Sequence, residues 1–425
     1  MTVCKTAEEN EMHTAGDKDN RGAMGKRIIH VCICKLFYNL LSKPNYIKNH
    51  VNRTNQSKNN NPKLLCFFNG NPPKIYSAPI DYASISSSSS SSLSCKFDRA
   101  VLINYPFESK KTYRHNFLGS CNGIICLKIR SHDAGEEGLT ADYFYVILNL
   151  LTREYKSFKE PQSVVELKSR GYKVTYGFGY DKNIDDYKLV IIFDFKEGGW
   201  FRFYVYTVKS DSWNIVQRNF NYSFGVLCEE VSQYYSAGKG YHGVFFKEAL
   251  HWLGSIVTEK NSSHVIVTFN MSTETMVDMP LPENGMPPID FQGEMYSNLG
   301  VWGDCICIAC IWGSVKIDVW VMHEYGVKES WNKKYTTTTT QVHGPCIPYW
   351  QLLWCFDNGE ILVENCRRHL LLYHPANESV RSVVVRDITM KNNRESYVES
   401  IVSLNSGTYL KKRITDGIMK NSNRI

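Results

Sequence analysis

The sequence predicts a mainly β fold, a β-propeller-like domain of about six blades preceded by a short α-helical segment. Three observations carry this. An apolar strand, a polar turn and a second strand recur as VILNLLTREYKSF (146–158), VYTVKSDSWNIV (205–216), VTFNMSTETMVDM (267–279), VWVMHEYGVKESW (319–331) and LLYHPANESVRSVVV (371–385). Anchored on Ile147, Val205, Val267, Val319 and Leu371, the units lie 58, 62, 52 and 52 residues apart, a period suited to four-stranded blades with long loops. Aromatic residues make up 13% of the chain, a composition that leans toward strands. A lone four-stranded sheet cannot bury both faces, and radial stacking of blades buries them.

Taken in order, residues 1–25 are polar, without Leu or Pro, and are expected to be disordered. From Ile28 to Leu41 the apolar positions 29, 33, 36, 37, 40 and 41 keep helical spacing, and Pro44 ends the pattern. Residues 49–62 are Asn-rich and read as a linker. Beyond them helical periodicity stops. LLCFFNGNPPKIYS (64–77) reads as an earlier copy of the recurring hairpin. FLGSCNGIICLKI (117–129) is strand, turn, strand, and its Asn-Gly pair suits a type I′ turn because both residues tolerate positive φ. GVFFKEALHWLGS (243–255) has the same shape. The runs Ser86–Ser92 and Thr336–Thr340 read as mobile loop insertions.

Charge and composition exclude several functions. The net charge is +7, but ten Lys/Arg face five Asp/Glu in residues 1–60, and five face one in 411–425. The segment between is left at −2, whereas a nucleic-acid binder concentrates basic charge on its folded domain. No window approaches a membrane-spanning length of apolar residues. Fourteen cysteines in 425 residues fall short of a disulfide scaffold, and residues 1–27 hold no apolar leader, so reduced thiols in the cytosol or nucleus are expected. Cys305, Cys307 and Cys310 in DCICIACIW lack a second pair at zinc spacing and read as small buried hydrophobes, as do Cys32 and Cys34. Asp181, Asp185 and Asp186 lack the alternation of a calcium loop and read as solvated acids of a hairpin turn. Gly177 and Gly179 are followed by no Gly-Lys-Ser/Thr, so no phosphate cradle forms. His242 and His251 read as satisfied structural residues. No hydrolase, metalloprotease or dinucleotide motif occurs, and no metal or cofactor is implied.

The segments FLGSCNGIICL, YGFGYDKNIDDYKLV, VYTVKSDSW, GVFFKEALHWL, DVWVMHEYGVKESW, LLLYHPANESVRSV and SYVESIVSLNS (396–406) resemble the plant F-box-associated domain, a kelch-like propeller, in the family's order. The closing segment and EYGVKESW look most like S-locus F-box proteins of the nightshade kind. CICKLFYNLLSKPNYIKNH (32–50) is similar to the last helix of the family's F-box. Upstream, EENEMHTAGDKDNRGAMGKR holds no Leu, Ile or Pro where the motif expects Leu-Pro, Ile-Leu and Leu-Pro. The expected organisation is therefore a disordered N-terminus (1–25), a truncated F-box with its C-terminal helix only (26–53), a linker (54–63), the propeller-like domain (64–406) and a basic tail (407–425).

The resemblance implies a non-catalytic substrate receptor of a Skp–cullin–F-box ubiquitin ligase. Ile33, Cys34, Phe37, Leu40, Leu41 and Pro44 would contact the Skp-type adaptor and, through it, cullin. The propeller would hold a protein target, in S-locus members a non-self S-RNase. The rival class is a propeller interaction protein that has lost adaptor docking. Target contacts are expected from the long loops 131–141, 161–172, 194–200, 257–263 and 283–297, because binding uses loops held by a rigid scaffold.

Overall fold

The computed structural model describes Tyr46 and residues 62–68, 74–80, 94–97, 100–103, 111–133, 142–195, 200–219, 222–224, 242–257, 262–283, 295–312, 316–338, 350–356, 358–365, 369–376, 378–385 and 394–405. The chain divides into two units, residues 1–57 and 58–425. In the first, Tyr46 alone is described; it is helical and exposed. The polar N-terminus, the 28–41 helix and the basic tail lie outside the described residues.

The second unit is a ring of six antiparallel sheets. Blade 1 holds β1 (Pro62–Phe68), β2 (Lys74–Pro79) and β4 (Val101–Ile103), with β26 (Arg394–Val398) added from the end of the chain. Blade 2 is β5 (Lys111–Cys121), β6 (Ile124–Asp133), β7 (Asp142–Leu148) and β8 (Tyr155–Phe158); blade 3 is β9 (Lys173–Asp181), β10 (Asp186–Phe195), β11 (Trp200–Thr207) and β12 (Ser212–Asn219). In blade 4, β13 (Tyr222–Phe224) and β14 (Val244–Phe246) share the edge of β15 (Ala249–Val257), followed by β16 (Ser262–Asn270) and β17 (Met276–Met279). Blade 5 is β18 (Met295–Trp302), β19 (Cys305–Trp312), β20 (Lys316–Met322) and β21 (Trp331–Thr338). Blade 6 is β22 (Trp350–Cys355), β23 (Ile361–Asn365), β24 (His369–His374) and β25 (Ser379–Val385). A short strand, β3 (Ser94–Phe97), pairs in parallel with β25 on its outer edge. The first strands β26, β5, β9, β14, β18 and β22 touch in sequence and close the ring.

Middle strands are apolar on both faces because each blade packs against two neighbours. Leu189, Ile191 and Phe193 join Leu118, Cys126 and Ile147 between blades 2 and 3, while the alternate residues Val190 and Ile192 meet Trp252 and Val267 between blades 3 and 4. Such continuous apolar runs are what a doubly covered strand requires. Each of the other four blade junctions has its own buried cluster.

The five recurring hairpins are the third and fourth strands of blades 2 to 6. The 64–77 hairpin is out of phase. Residues 62–79 form the second and third strands of blade 1, because β26 supplies the first, pairing Leu64 with Ser396. Asn122 and Gly123 take φ of 50° and 80°, the expected positive-φ pair of the turn. The Thr run departs from expectation: Thr336 to Thr338 complete β21 and pair with Asp318 to Lys316. β-Branched residues suit a half-exposed outer strand. Ser86–Ser92 lies outside the described residues. The stretch 161–172, read as a loop, holds the helix α1 (Gln162–Ser169), with Val164 and Leu167 buried on the junction of blades 2 and 3.

Candidate functional site

Antiparallel order divides the connections between two ends of the ring. Connections after the first and third strands of a blade emerge at one end, and those after the second and fourth at the other. At the first end the turns within blades 2 to 6 are short, and the positive-φ residues Asn122, Arg153, Asp185, Asp211, Lys247, Glu248, Glu274 and Glu378 all lie there. The closing segment is fastened to the same end. Asn149 Nδ2 donates to the carbonyls of Ser400 (2.9 Å) and Val402 (2.7 Å), and Glu154 accepts from Ser403 Oγ (2.7 Å) and Leu404 N (2.9 Å). A Cβ on Gly123 would lie 2.5 Å from Ser400 Cβ, so only glycine lets this segment pass beneath blade 2.

All five long loops singled out from the sequence join strands at the opposite end: β6 to β7, β8 to β9, β10 to β11, β15 to β16 and β17 to β18. Sequence length had picked them out, but strand order alone puts them on one surface.

A cationic cluster lies toward that end, between blades 2 and 3. On β6, Ile124 and Cys126 are buried in the junction, and the same face continues as Lys128 and Arg130. Lys128 Nζ donates to Tyr176 Oη (3.0 Å) and sits 4.8 Å from the Tyr143 ring. Lys168 of α1 donates to Tyr145 Oη (2.9 Å) and pairs with Glu160, which also accepts from Tyr145 (2.6 Å). Burial, with Lys168 beside it, pushes the Lys128 ammonium down to about 7. Burial also lowers Lys168, opposed by Glu160. No local pattern along the chain marks this group, because its members come from β6, β7, α1 and β9.

On the ring axis, four blades meet through Glu395, Gln351, His242 and Phe117. Gln351 Nε2 donates to Glu395 Oε2 (2.7 Å), His242 Nε2 lies 4.0 Å from Glu395 Oε1, and Phe117 meets the imidazole edge-on at 5.4 Å between centroids. His251 is buried between the Val244 carbonyl (3.1 Å) and Tyr325 Oη (2.6 Å), in keeping with a structural role. Burial pushes the Cys66, Cys307 and Cys310 thiols up to about 12, so none is a nucleophile at neutral pH. Among the described residues no group of three or more His, Cys, Asp or Glu is placed to hold a metal ion.

The hairpin acids are not all solvated, contrary to expectation. Asp181 and Asp186 are buried, and of the three acids only Asp185 is solvated. Asp181 pairs with Lys188 (2.8 Å) and accepts from Ser272 Oγ (2.6 Å), while Asp186 accepts from the Tyr187 and Lys209 amides. Lys188 also reaches Glu274 (2.8 Å), so the group joins blades 3 and 4. Gly177 and Gly179 belong to the same junction: a Cβ would lie 2.6 Å from Leu250 Cδ1 at one and 2.4 Å from Phe245 Cδ2 at the other. The six adaptor residues expected from the sequence, Ile33 to Pro44, lie outside the described residues.

A closed ring of six sheets with apolar clusters at every junction defines a β-propeller scaffold. The family model described as the F-box associated beta propeller domain matches residues 67–404, and the chain belongs to that family. F-box protein CPR1 of Arabidopsis thaliana is 25% identical over 385 residues, covering 87% of this chain and 83% of that protein. An F-box/kelch-repeat protein of the same plant is 26% identical over 292 residues, covering 68% and 70%. Among solved structures, the β-propeller domain of the Trilobed protease from Pyrococcus furiosus aligns with a TM-score of 0.30 at 10% identity, covering 64% of this chain and 70% of that one. No described helix is long and apolar enough to cross a membrane.

Proposed function

We propose that the chain is a non-catalytic substrate-recognition subunit of a Skp–cullin–F-box ubiquitin ligase, working in the cytosol or nucleus. The observation that carries this is the match to the F-box associated propeller family over residues 67–404, with F-box proteins among the relatives. The end with long connections holds the protein target. Residues 26–50 dock the Skp-type adaptor through Ile33, Cys34, Phe37, Leu40, Leu41 and Pro44, and the adaptor brings cullin. Target lysines then meet the ubiquitin-carrying enzyme at high effective concentration.

The finer reading makes the target a non-self S-RNase, and it rests on the resemblance of the closing segment and EYGVKESW to S-locus proteins. The second reading is a propeller that binds its target without a ligase. It is favoured by one observation, the absence of Leu, Ile and Pro from residues 8–27. Adaptor interfaces depend on a few buried apolar anchors, so docking should be weaker than for an intact F-box.

A pull-down with a purified plant Skp-type adaptor separates the two. Capture of the full chain, lost on deletion of 26–50, is expected for the ligase receptor. Failure of the full chain to bind, beside an intact relative that does, would leave only the second reading.

A further inference from the structure

The cationic cluster between blades 2 and 3 is not accounted for by folding. A blade junction needs apolar filling, and the same face of β6 supplies it lower down as Ile124 and Cys126. Toward the end with long connections that face becomes Lys128 and Arg130. The register sets Asn116 of β5 opposite Lys128 and Arg114 opposite Arg130. Lys168 approaches from α1. Four cations thus gather where, among the described residues, Glu160 is the carboxylate in contact, and Lys168 and Tyr145 already occupy it.

Among the described residues, no carboxylate pairs with Lys128, Arg130 or Arg114, and Glu160 acts on Lys128 only through its charge. Lys128 has a phenol and two ring faces as partners. Arg130 lies 5.9 Å from the Tyr143 ring centroid, and its Nε is buried without a hydrogen-bond partner. Buried N–H donors left unmatched are costly, and a fork of guanidinium and ammonium donors matches the oxygens of an anion. The residues stay partly open: Lys128, Arg130 and Tyr143 are half-buried and Arg114 is exposed.

We propose that this notch is an oxyanion pocket that takes an acidic group carried by the target, a phosphate monoester or paired carboxylates on side chains of a bound peptide segment. The inference rests on the reading that the target seats at this end, and it adds the chemistry of one contact. The groups facing Lys128 are Lys168 and Glu160 from the α1 segment, Tyr143 and Tyr145 from β7, Tyr176 from β9 and Arg130 beside it. With Lys128 held near 7, an incoming oxyanion raises its proton affinity. Binding near pH 7.5 therefore takes up a proton and weakens as pH rises.

The test uses the immobilised full chain and three random peptide libraries with a fixed centre: phosphoserine, Glu-Glu or serine. Retention of an acidic library at least tenfold above the serine library is expected. It should fall at least tenfold in Lys128→Met and in Arg130→Gln at an unchanged unfolding midpoint. Arg114→Gln, at an exposed position, serves as a variant whose folding is not at issue. The acidic library that is retained identifies the source of the charge. Equal retention of all three libraries, no retention, or retention unaltered by the variants would overturn the notch; adaptor capture and target binding elsewhere on the ring would be untouched.

Discussion

Several buried polar residues in this ring are paired across blades, and burial of others has measurable consequences. Burial pushes the His115 imidazole down to about 3 and that of His251 down to about 4, the latter against opposing contacts from the Val244 and Ala249 backbone. Both stay neutral in the fold while an unfolded imidazole takes up a proton near 6.5. The stability they hold is complete above that value and is lost as pH falls from about 6.5, through about 4 for His251 and about 3 for His115. Urea midpoints measured from pH 7 to 4.5 should show this slope, reduced in His251→Phe. An unchanged slope would show that His251 does not titrate as its burial requires. Gly177 and Gly179 have a similar cross-blade role: the sequence excluded a phosphate cradle there, and their use proved to be close approach to Leu250 and Phe245.

Single elements obeyed local rules wherever the rules were local. Asn122-Gly123 made its turn, and five hairpins formed at their period. The helix α1 escaped because eight residues give too short a pattern, although Pro161 at its cap and Gly171 past its end, at φ 78°, were visible markers. The closing element is fastened by two side chains that are themselves buried, Asn149 and Glu154. Asn149→Ala takes the partner from the buried Ser400 carbonyl and the half-buried Val402 carbonyl, and Glu154→Ala takes it from the half-buried Leu404 amide. Each should lower unfolding stability by about 1–3 kcal/mol in denaturant titration. A loss below a few tenths would mean that β26 closes the ring unaided.

For the whole molecule, closure is the property to test. Blade 1 is made from both halves of the chain, and Arg394 of β26 carries its charge fully buried against Glu364 of blade 6 at 2.9 Å. Deleting 394–405 removes that cation, the innermost strand and the clamp together, and exposes the edge of β1. We expect loss of the cooperative near-UV transition and association in size-exclusion chromatography. A monomer that unfolds cooperatively would show that the other five blades suffice. Arg394→Met is the milder form, and removing one member of this buried ion pair should cost about 3–5 kcal/mol.

The sequence by itself determined the class of fold, a count of about six blades and the hairpins, because strand patterning and turn chemistry act over a few residues. It also carried the family resemblance and the set of long connections. Only the tertiary structure decided that those connections share one end, that 64–77 is out of phase, that Asp181 and Asp186 are buried, and that Lys128, Arg130 and Lys168 converge. Each of these depends on which blade lies beside which, and on a strand from the C-terminal end completing the first sheet. Such contacts join residues from tens to more than three hundred positions apart, and no local pattern along the chain records them.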